Sequence, residues 1–193
     1  MDAQKNIRAF LAVELSEEVL QAVDLLQAKL KKEIKGKISW TKSQGNHITL
    51  KFFGNIDKDD IKNICAVVEK QVALVLPLSL TIEKMGVFPD ARRPRVLWLG
   101  ATGDVEELTA LQIKMESDFE GIGFERENRP FRAHLTLGRI KIPQETTGIS
   151  ESLSKYCNCT IGEFSCRELV LFQSKLTPQG AVYTKLKKFN FSG

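Results

Sequence analysis

Both histidines of this chain stand in the same tetrapeptide setting, and that coincidence restricts the fold more than anything else in the sequence. His47 opens His-Ile-Thr-Leu and His134 opens His-Leu-Thr-Leu. At average residue usage, chance places threonine two residues and leucine three residues after both histidines with odds on the order of one in ten thousand or less. The surroundings repeat too. An apolar run at Ile7–Glu14, a helical pattern and His47 follow one another in the first half, as Val96–Gly100, a helical pattern and His134 do in the second. Ile7 and His47 are 40 residues apart, Val96 and His134 are 38. The same order at near-equal spacing predicts two copies of one α/β unit, about residues 7–54 and 95–140, related by a pseudo-twofold axis.

The rest of the chain fits around that duplication. Ser16 with Glu17 and Glu18 reads as a helix cap and an acidic first turn. Val19, Val23, Leu26, Leu30 and Ile34 then form one buried stripe that Gly36 ends. Further helices are predicted over Asp57 to about Val75, Asp104 to Glu120, and near Ser150–Tyr156. Strands are predicted at Ile38–Thr41, His47–Phe53, Leu78–Glu83, Ala133–Ile140, Glu168–Gln173 and Val182–Phe189. Ser43–Asn46 and Ser174–Gly180 read as turns, and Phe88–Arg95 as a loop. Several strands follow one another through turns without strict βαβα alternation. The expected class is therefore α+β, a bilobal domain over residues 1–193 whose mainly antiparallel sheets line a central cleft.

Composition narrows the partners. At 193 residues, 42% hydrophobic and 27% charged, the chain can bury a sizeable core and is neither disordered nor a disulfide miniprotein. A net charge of +4 permits an anionic partner without demanding one. No run reaches the roughly 18 apolar residues of a membrane helix, and the first residues do not read as a signal peptide. Cys65, Cys157, Cys159 and Cys166 contain no CxxC pair, so reduced thiols in a cytoplasmic protein are expected. With no obvious partner helix left over, the expected state is a monomer.

In a strand, residues two apart share a face, so each motif presents imidazole and hydroxyl together while Ile48, Leu50, Leu135 and Leu137 face the core. Two imidazoles on one cleft suit metal-free phosphodiester cleavage. One neutral ring takes a proton from water and one charged ring gives a proton to the leaving oxygen. An unperturbed pKa of about 6.5 makes either state accessible near neutrality. Thr49 and Thr136 can donate to non-bridging oxygens as charge gathers there. Strict alternation adds Lys51 and Arg132 to the same faces and sets Arg139 off the His134 face. Arg92, Arg93, Arg95, Arg126 and Arg129 could extend an electrostatic track for an RNA backbone from Arg132, although a solvated surface is the ordinary reading of scattered arginines. Phe53, Phe131 and Tyr183 are candidates for base stacking; a core role is the commoner one for each phenylalanine, and Tyr183 is the best placed by its hydroxyl. A metal usually needs a third protein ligand, and neither strand offers one beside its histidine.

The paired motifs resemble those of the 2H phosphoesterase superfamily. RAFLAVEL, NHITLKFFGNI, GVFPDARRPRVLWLG, RPFRAHLTLGR and LFQSKLTPQGAVYTKL resemble its RNA 2′,3′-cyclic phosphodiesterase family, the 2′-5′ RNA ligase-like proteins. Family members commonly carry proline before the second motif, where this chain has Ala133. The resemblance implies a LigT-like bilobal fold with no cofactor. It also implies an RNA or nucleotide substrate ending in a 2′,3′-cyclic phosphate, and hydrolysis to the 2′-phosphomonoester. His47 would be the proton donor to the departing 3′ oxygen and His134 the proton acceptor from water, an assignment that spacing alone leaves open. Two other readings use the same cleft: 2′-5′ RNA ligation or 2′-5′ oligonucleotide cleavage, and RNA binding without catalysis.

Overall fold

The computed structural model describes residues 6–42, 45–178 and 180–192. Its frame is a sheet in the order β7-β4-β5-β6-β3-β1-β8-β9, with β2 attached to β6, and every pairing in it is antiparallel. The strands are β1 (Asn6–Glu14), β2 (Ile38–Trp40), β3 (His47–Asp57), β4 (Leu78–Phe88), β5 (Val96–Gly103), β6 (His134–Ile140), β7 (Thr160–Cys166), β8 (Glu168–Thr177) and β9 (Gly180–Asn190). The helices are α1 (Glu17–Glu33), α2 (Asp60–Val72), α3 (Val105–Gly121) and α4 (Ile149–Tyr156). The α+β class and the pseudo-twofold are both evident. β3 and β6 meet at the centre, flanked by β1 and β5, and the order continues outward in matching pairs. The strands leaving the two halves exchange sides: β4 pairs with β5, and β8 pairs with β1.

The helices form where the apolar stripes place them. Ser16 caps α1 by accepting from the Val19 N–H at 3.4 Å, and Val19, Val23, Leu26 and Leu30 are buried against the sheet. α3 buries Leu108, Leu111, Met115 and Phe119. β1 is buried on both faces. Ile7, Ala9, Leu11 and Val13 join the main core, while Phe10 and Ala12 join Val170 and Phe172 in a second cluster. The second cluster underlies the first motif. Among the described residues no helix is long and apolar enough to cross a membrane.

Two segments differ from the sequence expectation. β7 lies at the sheet edge with a mostly exposed face and a glycine inside it, so its alternation is too weak to read. The turn expected at Ser174–Gly180 is largely strand: β8 runs to Thr177 and β9 begins at Gly180, with Gln179 outside the described residues. Of the turn expected at Ser43–Asn46, residues 43 and 44 also lie outside them.

Candidate active site

The two motifs run antiparallel at the centre of the sheet, with Ile48 opposite Leu135. Continued by one residue each way, that register sets His47 opposite Thr136 and His134 opposite Thr49. The histidines are then diagonal neighbours, about 7–8 Å apart along the sheet surface. Ile48 and Leu135 point down into the core, fully buried, so the imidazoles and hydroxyls point up together.

Each ring is tied to the main chain two residues upstream. His134 Nδ1 lies 2.7 Å from the Arg132 carbonyl oxygen. A carbonyl only accepts, so Nδ1 carries the proton and Nε2 of the neutral ring keeps its lone pair. His47 makes the matching contact with the Gly45 backbone. The surroundings differ. His47 stacks on Phe10 at 4.6 Å and 27°, with Tyr183 edge-on at 5.3 Å and Phe172 beyond at 6.1 Å. Burial among these rings pushes its pKa down from 6.5 to about 4, against the opposing pull of the Gly45 hydrogen bond. His134 meets Phe88 edge-on at 5.1 Å, and Phe88 stacks on Trp98. Trp98 lies flat over Gly86, where a Cβ would come within 2.2 Å of its ring, so only glycine leaves room for this floor.

The depressed His47 pKa carries a stability prediction. The unfolded chain takes up a proton on His47 below about pH 6.5, while the native chain resists until about pH 4. Stability contributed by the neutral buried ring is therefore present above pH 6.5 and is lost as pH falls towards 4. Urea unfolding at pH 5 is expected to give roughly 2 kcal/mol less stability than at pH 7 from this residue. His47→Gln removes that difference. A wild-type and variant difference that stays equal at both pH values would show His47 to be freely solvated.

Both motifs contain a β-bulge at the leucine, and the bulges redistribute the side chains that follow. Between β1 and β3 the pairing slips from Ala12↔Thr49 to Leu11↔Lys51, leaving Leu50 as the extra residue. Between β5 and β6 it slips from Trp98↔Thr136 to Leu97↔Gly138, leaving Leu137 as the extra residue. An added residue reverses the parity of everything beyond it.

Lys51 is accordingly not on the histidine face. It is 4% exposed, and its ammonium donates to Glu116 at 2.9 Å and to the Glu125 carbonyl on the inner side of the sheet. The expectation that it contacts substrate is corrected: strict alternation fails at Leu50. Phe52 takes the outward place instead, 52% exposed and 5.9 Å from Phe10. The same slip returns Arg139 to the outward, exposed face. Nothing in a single sequence signals either residue, because a bulge leaves no mark in the alternation of His-x-Thr-Leu itself.

The other sequence candidates fall as follows. Thr49 and Thr136 are half-buried on the histidine face. Tyr183 is half-buried against Phe10, His47 and Phe172. Arg132 is exposed, its guanidinium 6.0 Å from the Phe88 ring centre, which puts it on the His134 side. Phe131 packs half-buried against the main core, the commoner of the two roles read for it. Phe53 stacks edge-on with Phe119 and Phe124 in the core. Among the described residues no three His, Cys, Asp or Glu side chains group so as to hold a metal ion.

Comparison with known proteins adds four findings. The family model described as LigT like Phosphoesterase matches twice in succession, over residues 13–98 and 100–183. An RNA 2′,3′-cyclic phosphodiesterase of Methanothermobacter thermautotrophicus is 34% identical over 184 residues, 95% of this chain and 98% of the relative. One of the same name from Aquifex aeolicus is 31% identical over 195 residues, 98% of this chain and 100% of the relative. Among solved structures, one from Thermus thermophilus superposes with a TM-score of 0.81 at 26% identity, covering 96% of this chain and 98% of that one.

Proposed function

Because this chain belongs to the LigT like phosphoesterase family, we propose that it is an RNA 2′,3′-cyclic phosphodiesterase that hydrolyses the cyclic end to a 2′-phosphomonoester. The carrying observation is the antiparallel meeting of two His-x-Thr-Leu motifs on one face of the sheet. Relatives that match over nearly the whole chain and bear that activity in their names support the same reading.

In the proposed reaction a water oxygen bonds to phosphorus while the bond from phosphorus to the 3′ oxygen breaks. His134 Nε2, left free by the Arg132 contact, takes the proton that water loses. His47, protonated in the complex, gives its proton to the departing 3′ oxygen. The free protein holds His47 neutral at pH 7. The phosphodiester anion supplies the nearby opposite charge that favours the imidazolium. An imidazolium with a naturally low pKa is also a strong proton donor once formed. Thr49 and Thr136 donate to the non-bridging oxygens, and Arg132 adds positive charge beside the second motif. Tyr183 flanks the His47 side, where a base can stack. Residues 7–54 and 95–140 are the two copies that supply one histidine each. The enzyme acts as a cytoplasmic monomer in this reading.

The test is an oligonucleotide carrying a 2′,3′-cyclic phosphate. The expected product bears phosphate on the 2′ oxygen, formed at a rate that EDTA leaves unchanged. A 3′-phosphate would reverse the leaving group, a 2′-5′-joined product would identify a ligase, and binding without turnover would identify an RNA-binding module. Loss of the rate in EDTA with rescue by a divalent ion would place a metal in the reaction.

A further inference from the structure

A bulge detaches a backbone group from the strand ladder, and a buried carbonyl without a donor is costly. Both bulged leucine carbonyls accept from the side chain of a buried glutamine, that of Leu137 in addition to the Thr41 backbone N–H at 3.0 Å. Gln112 on α3 is 5% exposed, and its Nε2 donates to the Leu50 carbonyl at 3.3 Å and to Glu116 Oε1 at 3.2 Å. Gln27 on α1 is 1% exposed, and its Nε2 donates to the Leu137 carbonyl and to the Thr41 carbonyl, each at 2.9 Å. The reach is crossed in both cases: the helix of one half serves the motif of the other.

The second contact of each glutamine leads to the approach of the opposite motif. Thr41 lies in the segment that runs up to Gly45 and His47. On the other side Gln112 bonds Glu116, whose Oε2 takes Lys51 at 2.9 Å and the Glu127 N–H at 3.2 Å, while Lys51 also holds the Glu125 carbonyl. Glu125 and Glu127 belong to the segment that runs up to Arg132 and His134. Each glutamine thus joins the bulge of one motif to the stretch that anchors the other ring.

We propose that Gln27 and Gln112 are positioning residues that lock the two motifs to each other, setting the separation of the two imidazoles. The proposal rests on the two-histidine reading of the site. Neither amide lies on the histidine face, so neither is a catalytic residue. A misplacement of about 1 Å in a reacting geometry can cost on the order of a hundredfold in rate. Leu50 and Leu137 are one residue beyond Thr49 and Thr136, close enough for a released bulge to shift hydroxyl and imidazole alike.

The experiment compares Gln27→Met and Gln112→Met, which keep side-chain length and remove the donor, with Ile64→Val, a buried apolar change in α2 that removes no hydrogen bond. Readouts are steady-state kinetics on a 2′,3′-cyclic nucleotide and the ¹⁵N imidazole resonances of both histidines across pH. Each glutamine variant is expected to lower kcat about ten- to a hundredfold with KM within about twofold. Each is also expected to shift the resonances of both rings, while Ile64→Val shifts neither. If a methionine variant does not fold, the shorter amide of Gln27→Asn or Gln112→Asn is measured in the same way. Variants that lose thermal stability yet keep wild-type kcat and both sets of resonances overturn the proposal. If the wild-type protein turns over no cyclic phosphate, the proposed reaction falls, and the imidazole titrations still decide the positioning role.

Discussion

His134→Ala is expected to lower kcat on a 2′,3′-cyclic phosphate substrate by about 10²–10⁴-fold, and His47→Ala by a similar factor. In the proposed reaction each deletes one end of the proton path: loss of His134 would leave the water proton without its acceptor, and loss of His47 would leave the 3′ oxygen without its donor. Because the rings act on one transition state, the double variant should be scarcely slower than either single one. The two substitutions differ in structural cost. His47 packs on Phe10 with Tyr183 at its edge, so alanine opens a gap there, and His47→Gln is the better test of chemistry. Thermal melts and circular dichroism establish that each variant is folded before rates are compared. A folded variant at either position with kcat near wild type removes that histidine from the reaction, whatever its place in the motif.

The duplication and the two rings are readable because they rest on identity and spacing, which a sequence carries directly. The same holds for the helices: the stripe from Val19 to Leu30 and the Ser16 cap sit where local chemistry requires them. What is not readable depends on partners distant in the chain. The bulges at Leu50 and Leu137 exist only in relation to β1 and β5, so alternation counted along β3 and β6 alone gives Lys51 and Arg139 the wrong faces. Phe52, exposed, and Phe131, packed on the core, show a related limit, since a phenylalanine lies equally well against a core or a cleft and only the register decides. Gln27 and Gln112 are polar residues on largely apolar helix faces. A sequence shows that anomaly, but not the carbonyls they serve.

Lys51→Met is expected to destabilise the protein by about 3–5 kcal/mol while leaving KM of the folded protein close to wild type. The ammonium and the Glu116 carboxylate are both enclosed, 4% and 10% exposed as side chains. Removing the cation strands a buried carboxylate and frees the Glu125 carbonyl, whereas an exposed ion pair would lose 1 kcal/mol or less, on the order of the usual surface value. Replacing both partners, Lys51→Met with Glu116→Gln, should recover much of the loss, because a neutral buried pair no longer carries the desolvation cost of an unpaired charge. Urea unfolding of the two single variants and the double one measures this coupling directly. The opposite pattern, unchanged stability with KM raised tenfold or more, would mean that the lysine meets the phosphate after all and that the bulge at Leu50 does not turn it inward. The second motif supplies a comparison within the same molecule. Gly138 occupies the place that corresponds to Lys51, and a Cβ there would lie 3.0 Å from Ile38 Cγ2, so that half has no room for a buried cation. The charge pair is therefore a feature of one half only. It ties β3 to the segment ahead of Arg132, and a protein without it should lose stability before it loses affinity.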